Sequence, residues 1–181
     1  MSDAAESRRN ASEAEIVTWV NDVLPKAVAY ACSLIRDSHA AEDIVHDCVC
    51  RLLDRQDRYD LVNDGFKLLL RSISNATIDR ARRLEPWSLE SDDRSSMEQW
   101  DRQASEPIDI AIYNELNLSV EKALLQLPLK QRAALELKSL GFRLSEIAES
   151  LDISESNAGV LLHRARAAMA KELSAWMNEK I

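Results

Sequence analysis

The sequence predicts an all-α fold built from two small helical domains. Glycine and proline are scarce, at three and four of 181 residues, and such a composition favours helix. Apolar residues recur at helical spacing along most of the chain. One stretch breaks this pattern with two prolines, a Ser cluster and acidic patches, which is typical of a tether between domains. The predicted division is a disordered tail at 1–15, a first domain at 16–84, a flexible acidic linker at 85–107 and a second domain at 108–181.

Three helices are expected in the first domain. Apolar spacing begins at Ile16, and Pro25 forces a break or a new first turn midway along the first helix. Ser38 is the predicted N-cap of the second helix. A stretch rich in turn formers, without an apolar period, predicts a loop that has room for a function. The predicted elements are helices at about 16–36, 39–55 and 66–84, with the loop at 56–65.

The second domain carries a complete helix-turn-helix signal. After a helix over 108–127, Pro128 starts a helix that Gly141 ends, a short helix follows at about 145–151, and Ser154 opens a longer last helix. Such a unit places its last helix in the major groove of DNA. From this pattern alone, an ordinary helical hairpin with a solvated face remains the alternative.

The charge distribution limits how the chain can hold DNA. A net charge of −8 argues against binding by bulk electrostatics, because Lys and Arg supply most of the non-specific affinity for phosphate. Positive charge is concentrated in residues 67–83, where five Lys or Arg stand against one Asp. A solvated charged face is the alternative for this helix, but such a face has little use for the amide of Asn75. The sequence therefore predicts weak DNA binding that needs a larger partner.

Cysteine usage and hydropathy favour a reducing cytoplasm. Cys32, Cys48 and Cys50 are an odd number of cysteines inside apolar helical patterns, and no secretory signal accompanies them, so we expect no disulfide framework. No apolar run reaches the roughly 18 residues that a membrane span needs. The start of the chain is polar and is interpreted as a frayed tail.

No catalytic or metal site is expected. His46, Cys48 and Cys50 are of ligand type, but residues two apart on a helix point in different directions, so these three do not converge. The sequence contains no G-x-S-x-G motif, P-loop or paired-carboxylate constellation. We therefore expect no cofactor, no metal and no enzymatic activity.

Two blocks of short motifs occur in order along the chain. The first contains Ala41-Glu42-Asp43-Ile44-Val45-His46-Asp47, Arg51-Leu52, Phe66, Leu69, Ile73, Asn75, Ile78-Asp79-Arg80 and Arg82-Arg83. The second contains Leu127-Pro128, Gln131-Arg132, Leu144-Ser145-Glu146-Ile147-Ala148 and Leu161-Leu162-His163-Arg164-Ala165-Arg166. Over about residues 20–175 the chain resembles the extracytoplasmic-function (ECF) subfamily of sigma-70-type RNA polymerase sigma factors. The resemblance implies a sigma-two-like helical bundle and a sigma-four-like helix-turn-helix domain.

The resemblance also implies a partner for each surface. The helix that contains Glu42 would dock on the clamp helices of the largest polymerase subunit, and the second domain would contact the flap of the second-largest subunit. The 56–65 loop would capture a base flipped from the minus-ten element, the basic helix would open that duplex, and the last helix would read the minus-thirty-five element. The acidic linker would run through the active-site cleft and imitate a nucleic-acid strand, with a plain disordered linker as the alternative.

Residues follow for each role. The implied polymerase-binding residues are Glu42, Asp43, His46, Asp47, Cys50 and Arg51. The implied minus-ten residues are Arg58, Tyr59, Asp60, Asn63, Asp64, Lys67, Arg71, Asn75, Asp79, Arg80, Arg82 and Arg83. The implied minus-thirty-five residues are Arg143, Ser154, Glu155, Ser156, Asn157, Gly159, Val160, His163, Arg164 and Arg166.

The chain departs from the family pattern at several positions. Gly159 stands where members often carry Lys or Arg, and Asn157 where several carry Thr, so we expect a weak phosphate grip and an unusual target sequence. Asp152 occupies a turn position often held by Gly, where a positive φ costs about a kcal/mol in another residue. Cys48 and Cys50 are atypical, and a redox-sensing role for them is an open hypothesis.

The predicted function is promoter recognition and melting by an initiation factor bound to core RNA polymerase. The alternative is a helix-turn-helix regulator that binds duplex DNA without polymerase, and a third reading is a helical adaptor or inhibitor that contacts only protein. Many members of the family are held inactive by an anti-sigma factor, so we expect such a partner in a bacterial cytoplasm. It would also be the means of holding the chain at the membrane, without membrane insertion.

Overall fold

The structure is a computed structural model that describes residues 12–35, 37–84 and 108–179, of which 108–114 and 175–179 are described by backbone alone. These ranges contain seven α-helices, one 3-10 helix and no strand, which confirms the all-α prediction. The predicted linker at 85–107 and most of the predicted tail lie outside the described residues. The helices are α1 (Glu13–Leu34), α2 (Ser38–Leu53), the 3-10 helix (Gln56–Arg58), α3 (Leu61–Leu84), α4 (Ile108–Gln126), α5 (Leu129–Ser139), α6 (Leu144–Ser150) and α7 (Glu155–Glu179).

The chain divides into two compact units, Met1–Asp79 and Arg80–Ile181. The first unit contains α1, α2 and α3 up to Asp79, and the second contains the last residues of α3 together with α4 to α7. Each unit has its own buried apolar core.

The first helix begins earlier than the sequence predicts and is not interrupted. Ser12 caps α1, because the Ser12 hydroxyl accepts a hydrogen bond from the Glu15 amide at 3.3 Å while the Glu15 carboxylate accepts one from the Ser12 amide at 2.8 Å. The predicted tail at 1–15 is therefore wrong over its last residues. Pro25 lies inside α1, so the predicted break is also wrong. Pro25 is exposed, and at such a position the helix tolerates the hydrogen bond that proline cannot donate. Val23 and Ala27, on either side of Pro25 in the sequence, are buried.

The other two helices of the first unit begin at aspartate caps. The Asp37 carboxylate accepts a hydrogen bond from the Ala40 amide at 3.1 Å, so the N-cap of α2 is one residue before the predicted Ser38. The Asp60 carboxylate accepts hydrogen bonds from the Asn63 amide at 3.1 Å and from the Asn63 side-chain nitrogen at 2.8 Å. The helix α3 therefore starts at Leu61 rather than at the predicted Phe66, and the predicted 56–65 loop is shorter.

Two close contacts join α1 to α3. A Cβ atom added at Gly65 would lie 2.7 Å from Cζ2 of Trp19, so the indole packs directly on the α3 backbone. The Tyr30 hydroxyl forms a buried hydrogen bond with the Ser74 hydroxyl at 2.7 Å. These contacts join α3 to α1 at two points, and α2 packs on α1 as well.

In the second unit α7 contacts each of α4, α5 and α6. On α7, Ala158, Leu162 and Ala165 follow one another at helical spacing and are buried. Leu116 in α4 is 39% exposed. A guanidinium nitrogen of Arg132, Nη2, donates to the carbonyl oxygens of Leu125 and Leu127, each at 3.0 Å, and so caps the end of α4 from inside the unit.

The two turns that flank α6 have the same hydrogen-bond pattern. After α5, the Phe142 amide donates to the Leu137 carbonyl at 3.1 Å around Gly141, whose φ is +90°. After α6, the Ile153 amide donates to the Ala148 carbonyl at 3.0 Å. Both are Schellman motifs, in which a residue with positive φ ends the helix. The predicted stop at Gly141 is therefore confirmed.

Candidate docking and DNA-reading surfaces

The outward side of α2 forms the first candidate surface, called here the α2 face. Its six residues were implied to bind polymerase, and all of them are exposed in the structure. On the opposite side of the helix, Val45, Cys48 and Leu52 are buried in the first unit. The residues of the α2 face are Glu42, Asp43, His46, Asp47, Cys50 and Arg51.

The α2 face presents more negative than positive charge to its surroundings. Arg51 is directed back along its own helix, because its Nε donates to the Asp47 carbonyl at 3.1 Å and its Nη2 lies 3.3 Å from Cys48 Sγ. The carboxylates of Glu42 and Asp43 are exposed. Such a surface repels DNA and suits a basic protein surface.

The two cysteines on α2 have opposite environments. Cys48 is fully buried, and burial raises the pKa of its thiol. Cys50 is exposed, with its Sγ 3.8 Å from Nε2 of His46 one turn away. Sequence reasoning considered His46, Cys48 and Cys50 together and missed this i, i+4 pair. In the part of the chain that the structure describes, no group of three potential ligands could hold a metal ion.

The segment between α2 and α3 divides the implied minus-ten residues into two kinds. Arg58 and Tyr59 are exposed at the end of the 3-10 helix, with Tyr59 39% exposed. Asp60 and Asn63 bond to each other as the cap of α3, and the hydrogen bonds from Asn63 lower the pKa of the Asp60 carboxyl. Asp64 is exposed in the first turn of α3. Asp60 and Asn63 therefore shape the start of the helix.

The basic helix presents a single polar stripe, called here the α3 stripe. Its members follow one another three or four residues apart, so they share one side of the helix. Lys67, Asp79 and Arg82 are exposed, and Arg71 and Asn75 are half-buried. The α3 stripe consists of Lys67, Arg71, Asn75, Asp79 and Arg82.

The last two implied residues of α3 lie outside the centre of this stripe. Arg80 is in line with the buried Ile73 and Thr77, so it is on the opposite side of the helix although exposed. Arg83 follows Asp79 by one turn at the edge of the stripe and is exposed. Sequence reasoning grouped Arg80 with the stripe, and its helical position does not support that grouping.

The start of α7 forms the outward side of the helix-turn-helix. The Ser154 hydroxyl accepts a hydrogen bond from the Asn157 amide at 3.2 Å, so Ser154 is the cap of this helix. A Cβ atom added at Gly159 would meet nothing within 4 Å. The remaining implied minus-thirty-five residues, all exposed, are Arg143, Glu155, Ser156, Asn157, Val160, His163, Arg164 and Arg166.

Arg143 occupies a different part of the unit from the α7 residues. It is the N-cap of α6, where its amide donates to the Glu146 carboxylate at 2.7 Å. Its side chain is exposed beside the first turn of α6.

None of the helices in the described ranges is long and apolar enough to cross a membrane.

These features define a helical protein with a helix-turn-helix in its second unit. Two other helices carry an acidic face, on α2, and a basic stripe, on α3. The Sigma-70 region 2 family model matches residues 19–86, and the Sigma-70, region 4 model matches residues 117–169. A curated relative, the ECF RNA polymerase sigma factor SigW of Bacillus subtilis (strain 168), is 28% identical over 147 residues, which are 77% of this chain and 79% of the relative. The chain belongs to the sigma-70 family of RNA polymerase sigma factors, in its ECF subfamily.

A solved structure has the same fold. It is the sigma factor RpoE from Bartonella quintana, co-crystallised with the anti-sigma factor NepR. The TM-score is 0.68 at 22% sequence identity, and the match covers 88% of this chain and 97% of that chain. The prediction of a sigma factor that acts in transcription initiation is confirmed, and a polymerase-independent regulator is not favoured.

Proposed function

We propose that this sigma factor docks on the clamp helices of the largest subunit of core RNA polymerase through the α2 face. The observation that carries this proposal is the exposure of all six implied residues on one side of a helix whose other side is core. An acidic surface is repelled by the phosphates of DNA, whereas the charge of a basic protein surface is complementary to it. The α2 face therefore serves a protein partner.

The α3 stripe and the exposed end of the 3-10 helix then act on the minus-ten element. Lys67 and Arg82 supply charge for phosphate, and the amide of Asn75 offers both a donor and an acceptor to a base. Tyr59 offers an exposed aromatic ring, on which an unpaired base can stack. Unstacking a base costs a few kcal/mol, which contacts of this kind offset.

The first turns of α7 read the minus-thirty-five element in the major groove. Asn157 and Arg164 are exposed on the outward side of the helix and have the hydrogen-bonding groups that recognise adenine and guanine. The second unit also contacts the flap of the second-largest polymerase subunit. Two weak DNA contacts, one in each unit, become specific when polymerase holds them together.

An anti-sigma factor is the second protein partner in this proposal. The solved relative with this fold was crystallised with its anti-sigma factor. A partner that covers the α2 face excludes polymerase, because the same side chains serve both interactions. The protein acts in the bacterial cytoplasm, and a membrane-attached anti-sigma factor would hold it at the membrane while it is inactive.

The docking role is tested by reversing one charge on the α2 face. Asp47→Arg should abolish co-purification with core polymerase and run-off transcription, while helical content and thermal unfolding stay unchanged, because Asp47 is exposed. Asp22→Arg is the matched control, since Asp22 is an exposed carboxylate on α1. Retention of core binding by Asp47→Arg would contradict the docking role of the α2 face.

A further inference from the structure

One apolar side chain stands in the middle of the outward side of α7. Val160 is 45% exposed, whereas Ala158 and Leu162, two residues to either side, are buried. In an α-helix a separation of two residues corresponds to about 160° around the axis, so Val160 points directly away from the core. The polar side chains of Ser156, His163 and Arg164 surround it and are exposed.

Position and stiffness distinguish Val160 from an ordinary exposed hydrophobic residue. Single exposed apolar side chains are common on protein surfaces and need no function. Val160, however, lies on the side of the helix-turn-helix whose other side chains suit base edges. A valine in a helix strongly prefers one rotamer, so its two methyl groups are held in a fixed direction.

Only one methyl group is available to such a side chain in the major groove. Each thymine presents it at C5, whereas cytosine has only a hydrogen at that carbon and the purines present hydrogen-bond donors and acceptors. Gly159 next to Val160 carries no side chain and has open space at its Cβ position, so on that flank the helix backbone can approach the base edges closely. A contact with a methyl group at this point therefore requires a thymine.

We propose that Val160 packs on the methyl group of a thymine and thereby specifies one A·T pair in the minus-thirty-five element. The inference rests on the proposed role of α7 in reading DNA. The polar neighbours of Val160 read the adjacent base pairs through hydrogen bonds, and Val160 reads its own pair by shape and apolar contact. Loss of one buried methyl contact corresponds to about a fourfold change in affinity.

Replacing thymine by uracil tests this assignment, because uracil lacks only the methyl group. Holoenzyme assembled from this chain and core polymerase selects from duplex libraries with a randomised promoter region, made once with thymidine and once with deoxyuridine. We expect enrichment of thymine at one minus-thirty-five position in the first library, and loss of enrichment at that position alone in the second. Val160→Ala should lose the same preference in the thymidine library, with other positions retained.

Two further variants keep the result interpretable. Val17→Ala removes an exposed valine on α1, 55% exposed, and should leave every base preference unchanged. Val160→Thr keeps the side-chain shape but replaces one methyl group by a hydroxyl, and we expect it to weaken the thymine preference without affecting folding.

The possible failures are distinguishable. If the wild-type holoenzyme enriches no sequence, both the DNA-reading role of α7 and the inference are overturned. If it enriches a minus-thirty-five sequence in which no thymine preference depends on the methyl group or on Val160, the inference alone is overturned. In that case Val160 faces a protein partner or solvent.

Discussion

The backbone amide of Ile153 donates to the carbonyl of Ala148 at 3.0 Å and closes the turn between α6 and α7. Asp152, between them, has a φ of +51°. The turn before α6 has the same hydrogen bonding around Gly141, at φ +90°. The helix-turn-helix thus uses one turn geometry twice, and only the second instance places a side chain in the left-handed region.

Asp152→Gly should stabilise the second unit. Glycine adopts positive φ without strain, so we expect a gain of about 0.5–1 kcal/mol in the free energy of unfolding. Urea denaturation followed by helical circular dichroism measures the gain as a higher midpoint with an unchanged slope. Asp152→Ala keeps a Cβ atom at the same φ and should give no gain. A lower midpoint for Asp152→Gly would show that the aspartate side chain stabilises this turn.

Two helix-interior glycines should respond oppositely to alanine. Alanine is favoured over glycine by about 1 kcal/mol within a helix, and Gly159→Ala should realise much of that gain because its Cβ position is open. Gly65→Ala should destabilise the first unit by about 1–3 kcal/mol, because its Cβ atom would displace the buried Trp19 ring. Urea denaturation of each variant measures its free energy of unfolding, which is compared with that of the wild-type protein for the unit that carries the substitution. Equal stabilisation by both would disprove the packing of Trp19 on α3.

Arg132 should be a stabilising residue although it belongs to a family motif. Arg132→Met keeps the apolar stem but removes the two hydrogen bonds to the end of α4, and we expect a loss of about 1–3 kcal/mol in the second unit. Lys138→Met is the matched control, because the exposed Lys138 also donates to a backbone carbonyl, that of Phe142, at 3.2 Å. Its loss should be under about 0.5 kcal/mol. Comparable losses in the two variants would mean that the burial of Arg132 adds little to the stabilisation that its hydrogen bonds give.

The α2 cysteines should differ strongly in their reaction with a maleimide. Cys50 is exposed, whereas Cys48 is buried with a thiol pKa raised above its ordinary value of 9.0. Peptide mass spectrometry after brief labelling should find Cys50 modified, and Cys48 unmodified until the first unit unfolds. Raising the pH towards 9.0 should not remove the difference, because the buried thiol keeps its proton to higher pH than an exposed one.

The same modification tests whether Cys50 matters for docking. An adduct on Cys50 adds bulk to the α2 face, so labelled protein should lose core polymerase, whereas Cys50→Ser should keep it and become insensitive to the reagent. Labelling of Cys48 as fast as Cys50 would contradict the burial of that side chain. Unchanged transcription by protein labelled at Cys50 would remove the hypothesis of a redox role on this face.

Local signals made the helix-turn-helix predictable from the sequence. Pro128, Gly141 and Ser154 each fix backbone geometry within a few residues, and the structure has a helix boundary at each of them. The positive φ at Asp152, which the family pattern implied, is also confirmed. The resemblance supplied the residues of the α2 face, and the burial of apolar residues on the other side of α2 agrees with their exposure.

Long-range packing decided what the sequence did not predict. Gly65 reads as part of a loop until Trp19 is known to lie against it, so the start of α3 was placed too late. Arg132 is bonded to carbonyls at the end of the preceding helix, and no apolar period signals such a buried cation. Ser38 and Asp37 are both good caps, and only the observed hydrogen bond distinguishes them.

Run-off transcription on fragmented genomic DNA, with purified core polymerase and mapping of RNA 5′ ends, tests the central claim most directly. The claim is that two weakly binding helical units give core polymerase a promoter specificity that neither component has alone. We predict new start sites that require both the protein and core enzyme, share sequences at the minus-ten and minus-thirty-five positions, and disappear with Asp47→Arg. The absence of any new start site, or an unchanged set with Asp47→Arg, would contradict the account.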